Sequence, residues 1–262
     1  MKGKVLITGA TSGLGLGFAT EYASQGYDLI VTGRRKEKIE ANMDAIRKKY
    51  GVKVKVILVD LSSEEGLTYL LQEIAGEEIQ VLINNAGFGL KPCFSDLSED
   101  QLNRMLFLQT AVVTRLTHDV LQQMIQRNEG TIINVSSDSA FAVMPHNVLY
   151  ASTKTYIMTF TEGLYMELVD TNIKVQVICP GFIDSDFHEN AQMKVNKARK
   201  GFMKFHSPEE IIAKSKKDLE RGRIVCKPSR DVKVIALLSR ILPRRWFYKI
   251  ILSMASKLMH KK

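Results

Sequence analysis

Short apolar runs recur along the chain, each closed by a small or polar residue and followed by a longer stretch in which apolar and charged positions mix. Val5-Leu6-Ile7-Thr8 stops at Gly9, residues 28–32 stop at Gly33, and Val54, Val56, Leu58 and Val59 lead to Asp60. Val81-Leu82-Ile83 leads to Asn84, Ile132, Ile133 and Val135 lead to Ser136, and Val175, Val177 and Ile178 lead to Pro180. Runs this short and this apolar predict strands buried on both faces. The segments 18–25, 36–50, 64–75, 101–126 and 148–168 have helical content. Gly26 and Gly51 stop the first two, and 101–126, free of Gly and Pro, predicts one helix. Arg223-Ile224-Val225 is a candidate seventh strand.

Strands separated by helices predict right-handed crossovers, and so an α/β fold with a doubly wound parallel sheet (a Rossmann fold) in one domain. Ligands of such sheets bind beyond the carboxyl ends of the strands, where the strand order reverses. The chemistry is therefore expected near Gly9, Gly33, Asp60, Asn84, Ser136 and Pro180. A length of 262 residues suits one such domain, and 45% hydrophobic with 25% charged residues excludes a disordered or low-complexity chain. Cys93, Cys179 and Cys226 are scattered, odd in number and without a CxxC pair. They predict free thiols, small buried hydrophobes in a reducing, cytoplasmic setting.

Charge changes the picture only at the C-terminal end. Residues 229–262 hold nine basic residues and one acid, Asp231, which is +8 of the chain's +9. The expected division is a nearly neutral catalytic domain at 1–228 and a basic amphipathic tail at 229–262. Within the tail, 232–242 is apolar with Lys233 and Arg240 inserted, Pro243 breaks it, and a new helix begins at Arg244-Arg245. There Trp246, Ile250, Met254 and Leu258 recur every four residues with Phe247 and Ile251 beside them, while Lys249, Ser253, Lys257 and Lys261 take another side. No uncharged run reaches the ~18 residues that span a bilayer. The tail either docks on the body or a second subunit, covering an apolar pocket, or lies peripherally on an anionic membrane surface. No nucleic-acid partner is expected, because the basic residues do not form a reading module.

Thr8-Gly9-Ala10-Thr11-Ser12-Gly13-Leu14-Gly15 joins the first strand to the first helix in a G-x-x-x-G-x-G spacing. Glycine there allows a tight turn and a close backbone approach to a pyrophosphate at the helix N-terminus. The second strand ends in Gly33-Arg34-Arg35, without the acid that would bind the ribose hydroxyls of NAD. Arg34 at that position suits the 2′-phosphate of NADP, so NADP(H) is the expected cofactor.

With these residues in view the chain resembles the short-chain dehydrogenase/reductase family over residues 4 to about 226. The marks are the glycine pattern at 8–15, Asp60-Leu61, Asn84-Asn85-Ala86-Gly87, Ser137 thirteen residues before Tyr150, Tyr150-Ala151-Ser152-Thr153-Lys154, and Pro180-Gly181. The resemblance implies cofactor contacts from Gly9, Thr11, Ser12, Gly13, Leu14 and Gly15. It places Asp60 and Leu61 at the adenine, Asn85, Ala86 and Gly87 along the cofactor wall, and Pro180, Gly181 and Ile183 at the nicotinamide. Asn84 would stabilise the central sheet. It also implies a homodimer or homotetramer paired through 101–126 and 148–168, and a substrate lid near 182–208.

Tyr150 and Lys154 stand four apart on a helix and so share a face. A free tyrosine has a pKa of about 10, and an adjacent ammonium and an oxidised nicotinamide both favour its phenolate. Tyr150 would exchange a proton with a carbonyl or alcohol oxygen, Lys154 would hold the nicotinamide ribose, and Ser137 would hydrogen-bond the substrate oxygen. Gln109 stands where the family has a relay asparagine, one methylene longer. The lid's Phe182, Phe187, Met193, Phe202, Met203 and Phe205 fit an apolar carbonyl or alcohol substrate, or simply pack the lid on the body. No metal site is expected, since His188 and His206 are far apart, and His118 should face solvent. The alternative function is a non-catalytic nucleotide sensor or scaffold that binds its partner through the tail.

Overall fold

Seven strands form one parallel sheet in the order β3-β2-β1-β4-β5-β6-β7 in the computed structural model, which describes residues 2–90, 92–184 and 205–259. The strands are β1 (Lys2–Ile7), β2 (Tyr27–Gly33), β3 (Val54–Leu58), β4 (Ile79–Asn84), β5 (Gly130–Val135), β6 (Ile173–Ile178) and β7 (Val225–Cys226). The helices are α1 (Gly13–Ser24), α2 (Lys36–Tyr50), α3 (Glu64–Ile74), α4 (Glu99–Leu106), α5 (Val112–Arg127), α6 (Val148–Glu167), α7 (Pro208–Glu220), α8 (Arg230–Ile241) and α9 (Arg244–Met259). The order reverses between β1 and β4, which opens a crevice above their carboxyl ends. Val5, Leu6, Ile7, Leu82, Ile83 and Ile132 are essentially inaccessible to solvent, as a sheet covered on both faces requires. Between β4 and β5 runs a buried polar ladder. Asn84 Nδ2 donates to Asn134 Oδ1 (2.8 Å) and Thr117 Oγ1 (3.0 Å), and Asn134 Nδ2 donates to Thr161 Oγ1 (3.0 Å), tying the sheet to α5 and α6.

Three elements depart from the sequence pattern. The first helix begins at Gly13, inside the glycine turn, rather than at 18. Ser12 is extended and its side chain makes no capping bond, so first-turn N–H groups point toward the crevice. The stretch expected as one helix over 101–126 starts at Glu99, where Ser98 and Gln101 form a capping box, and is interrupted by a π turn at Phe107–Ala111. Gln109 lies in the middle of that turn, and its Nε2 donates to the Phe88 carbonyl (2.8 Å). The seventh strand is two residues, Val225–Cys226, starting two residues later and ending one later than expected.

The tail folds as two helices around Pro243, and both dock on the body. Phe247 and Ile251 of α9 join Ile235 of α8 and Ala142 in a small apolar cluster over the loop after β5. The buried face of α9 is Phe247, Ile251 and Ala255; the face led by Trp246 and Ile250 points outward, with Trp246 67% exposed. That rotates the expected apolar stripe by one residue. The seat is an apolar shelf formed by Phe141, Ala142 and Met144, and Phe247 has the spacing with Ile251 and Ala255 that reaches it. Among the cysteines, Cys179 and Cys226 are buried, but Cys93 is exposed, with Sγ 3.2 Å from His146 Nδ1. His118 faces solvent.

Candidate active site

A cleft of about 820 Å³ opens at the carboxyl ends of the strands. It gathers nearly every residue singled out from the sequence. Gly9, Thr11, Ser12, Gly13, Leu14, Arg34, Asp60, Leu61, Asn85, Ala86, Gly87, Ser137, Tyr150, Lys154, Pro180, Gly181 and Ile183 all line it. Gly15 and Gln109 stand one layer behind.

The turn after β1 is held from below by β4. Asn85 Nδ2 donates to the carbonyls of Thr8 and Gly9, both at 2.9 Å, and the N–H groups of Asn85 and Ala86 donate to Thr8 Oγ1 at 3.0 Å. Gly9 sits at φ +71°, and its N–H donates to Thr32 Oγ1. A Cβ on Gly15 would lie 2.3 Å from the Gly9 carbonyl oxygen, so only glycine lets α1 start so close to the turn. The result is a helix N-terminus with unpaired N–H groups facing a concave wall, the geometry that takes a phosphate.

At the end of β2, Arg34 Nη1 approaches Asp60 Oδ2 at 3.6 Å, and Arg104 of α4 donates to the same oxygen at 2.6 Å. Arg35, not singled out from the sequence, donates from Nη2 to Ser12 Oγ at 3.2 Å and so reaches over the glycine turn. Its signal was present in the doubled arginine.

The other half of the cleft is built by β5 and α6. Ser137 caps the short 3-10 turn Asp138–Ala140 with its hydroxyl, which accepts from the Ser139 N–H (3.2 Å) and donates to Asp138 Oδ1 (3.0 Å). Tyr150 and Lys154 lie one turn apart, with Lys154 Nζ 5.5 Å from the Tyr150 ring centre. Nζ donates to the Val135 carbonyl (2.9 Å), and Ser136 Oγ donates to the Lys154 carbonyl (2.6 Å), so lysine and strand end fix each other. Burial pulls the Lys154 ammonium down to about 8. Burial likewise pushes the Tyr150 phenol up, with a smaller push from Asp138 and an opposing pull from Ser137. The protein's own groups therefore favour the protonated phenol, and the pull toward phenolate expected of an oxidised nicotinamide belongs to the cofactor-bound site.

Gln109 is fully buried, and its Oε1 accepts from Thr153 Oγ1 at 3.3 Å. A Cβ built on Gly87 would lie 3.5 Å from Lys154 Nζ and 3.7 Å from Gln109 Oε1, so both groups converge behind the cofactor wall. Ile235 of α8 completes the apolar side of the cleft beside Ala142, Met144 and Phe182. Sequence reasoning did not connect Ile235 or Asp138 to the site. Phe187, His188, Met193, Phe202 and Met203 of the expected lid lie outside the described residues.

Residues 3–196 match the model of the short chain dehydrogenase family. The chain belongs to the short-chain dehydrogenases. Membership makes it an oxidoreductase with the fold described above. Among curated relatives, the 3-oxoacyl-acyl-carrier-protein reductase FabG of Aquifex aeolicus is 33% identical over 217 residues, 80% of this chain and 88% of that one. The very-long-chain 3-oxoacyl-CoA reductase-B of Danio rerio is 31% identical over 211 residues, 79% of this dehydrogenase but 65% of the relative's length. Among solved structures, a short-chain dehydrogenase from Sphingobium yanoikuyae in complex with NADPH superposes with a TM-score of 0.81 at 26% identity, covering 99% of this chain and 96% of that one. No helix among the described residues is long and apolar enough to cross a membrane.

Proposed function

We propose that the protein is an NADP(H)-dependent enzyme interconverting a carbonyl and an alcohol on an apolar substrate. The observation that carries this is the meeting of Ser137, Tyr150 and Lys154 in one cleft, between a phosphate-binding turn and an apolar wall. The fit of the cofactor rests on the cradle at Gly15 and the open start of α1. NADPH, when bound, supplies the hydride. Ser137 orients the substrate oxygen, Tyr150 delivers its phenolic proton to that oxygen, and Lys154 keeps positive charge beneath the site as negative charge develops. Two relatives named as 3-oxoacyl reductases, and a solved neighbour bound to NADPH, support the same reading.

The test is NADPH oxidation against aldehydes, ketones and long-chain 3-oxoacyl thioesters, run in parallel with NADH. Turnover that favours the long-chain members supports the apolar wall. Tight NADPH binding without turnover on any of them supports the nucleotide sensor instead. Cofactor choice has its own expected result. Replacing Arg34 and Arg35 together by Ala should lower kcat/KM for NADPH by roughly 10- to 100-fold, the worth of one or two charge-assisted hydrogen bonds, and leave NADH nearly unchanged. Parallel loss with both cofactors would mean that the arginines support the turn and not the 2′-phosphate.

A second reading concerns where the enzyme works. The outward face of α8 and α9 exposes Leu237 (57%), Ile241 (62%) and Trp246 (67%) beside the exposed Arg240, Arg244, Arg245 and Lys249. Apolar side chains interleaved with cations match an anionic bilayer surface, to which each basic residue adds about 1 kcal/mol of attraction. Co-sedimentation with phosphatidylserine vesicles should fall steeply when Ile241 and Trp246 are both changed to Glu, which leaves the buried face of the tail intact. Equal sedimentation of both forms would remove the membrane reading. Pairing of subunits through α4–α6 rests on Leu106, Tyr156 and Met166, apolar residues left exposed on those helices.

A further inference from the structure

We propose that Asp138 is a positioning residue for the Ser137 hydroxyl, and that Asp231 of the C-terminal tail sets the charge Asp138 carries. The inference rests on the carbonyl–alcohol reading of the site and adds a pair of carboxyls to it. Ser137 Oγ donates to Asp138 Oδ1 at 3.0 Å. Asp138 is held in place by its own N–H, which donates to the Pro180 carbonyl at 2.8 Å. Asp231 arrives from the start of α8, only 5% exposed, with Oδ1 accepting from the Val232 N–H at 2.9 Å. A Cβ built on Gly181 would lie 3.6 Å from Oδ2 of each aspartate, so both carboxyls press on the same point of the cleft floor.

A carboxylate held close to a second one on a partly buried wall ionises less readily than it does alone. Burial and the charge of Asp231 hold Asp138 toward its neutral form, while hydrogen bonds from Ser137 and from backbone N–H groups favour the ionised one. Asp231 faces it from α8 and Tyr150 from α6, and the buried Cys179 thiol lies at the end of β6. The Lys154 ammonium is engaged with the Val135 carbonyl, and His146 on the cleft wall is engaged with Cys93. Loss of hydration, joined by the Asp231 charge and opposed by the Ser137 hydrogen bond, pushes Asp138 up to about 6.

The consequence follows from the single hydrogen on a serine hydroxyl. Against an ionised Asp138, Ser137 donates to the carboxylate and offers the substrate only lone pairs. Against a protonated Asp138, Ser137 accepts from the acid and turns its own O–H toward the substrate oxygen, where a carbonyl being reduced needs a donor. Reduction is therefore faster on the acid side of the Asp138 titration and slower on the alkaline side. Through Asp231 the docking of the tail reaches the catalytic serine.

The test is a carbon-13 titration of the full-length protein labelled at its aspartate carboxyls, with the Asp138 signal identified by its loss in Asp138→Asn. The expected midpoint is near 6, and Asp231→Asn should move it to lower pH. An Asp138 midpoint in the ordinary carboxylate range of about 4 overturns the proposal, as does a midpoint that Asp231→Asn leaves in place. In the kinetic arm, wild-type kcat/KM for reduction should fall by about tenfold as pH rises through the same midpoint, the net worth of one hydrogen bond. Asp138→Asn, which carries no titrating carboxyl, should lose that limb; a limb at the same midpoint that persists in this variant overturns the proposal. Absence of any wild-type turnover would count against the carbonyl–alcohol reading, while the titration would still decide the carboxyl pair.

Discussion

Tyr150→Phe is expected to lower kcat by a factor on the order of 10² to 10⁴, the usual worth of a placed general acid, with NADPH affinity and fold retained. The substitution removes one oxygen from the end of α6 and leaves the ring that stands 5.5 Å from Lys154 Nζ. The ring keeps its packing, so the unfolding midpoint should barely move. Steady-state rates from the nicotinamide absorbance, with a binding titration on the same preparation, separate loss of chemistry from loss of cofactor. A variant that kept more than about a tenth of wild-type kcat would deny Tyr150 the proton-transfer role. The wild-type profile carries a second sign. Burial sets Lys154 near 8, so the ammonium beneath the site is present below that pH and lost above it. Reduction should decline on the alkaline side of about 8.

Gly15→Ala is expected to weaken NADPH binding by about 100-fold or more and to cost roughly 3 kcal/mol of stability, as overpacking against fixed backbone does. The added methyl would meet the Gly9 carbonyl oxygen at 2.3 Å and Asn85 Nδ2 at 2.6 Å. Neither can retreat, because Asn85 is bonded to both carbonyls of the turn and the turn is bonded to β2 and β4. Relief would have to come from α1 moving off the sheet, which dismantles the phosphate cradle. Gly163→Ala is the control. Its Cβ meets nothing within 4 Å in this chain, so NADPH affinity should stay at the wild-type value while helix propensity favours the folded chain by up to about 1 kcal/mol. Denaturant unfolding and a fluorescence titration with NADPH, applied to both variants, measure the contrast.

The amino-acid sequence by itself determined the strands, the glycine turn and the Tyr150–Lys154 pair, because each depends on neighbours a few residues apart. An apolar run that ends in glycine or asparagine is a buried strand wherever it lies in the sheet. A tyrosine four residues before a lysine on a helix shares a face with it in any tertiary setting. The strand ends gathered the rest of the expected cofactor wall, since alternation of strand and helix fixes which edge of a parallel sheet is open.

Other features were decided only when distant segments met. The doubled arginine marks the end of β2, but the path of β2 into α2 decides that Arg35 is the one that reaches over the glycine turn to Ser12. Gln109, within the π turn, bonds to the Phe88 carbonyl, a partner from the loop beyond β4 that the sequence does not reveal. The tail's periodicity offered two adjoining stripes, and the apolar shelf at Phe141, Ala142 and Met144 selected Phe247 and Ile251 over Trp246 and Ile250. In the sequence Asp231 is the lone acid of a basic tail, and no motif marks Asp138. Their approach across Gly181 is a property of the docked fold, because the electrostatics of a carboxyl depend on what removes its water and on which charge stands opposite.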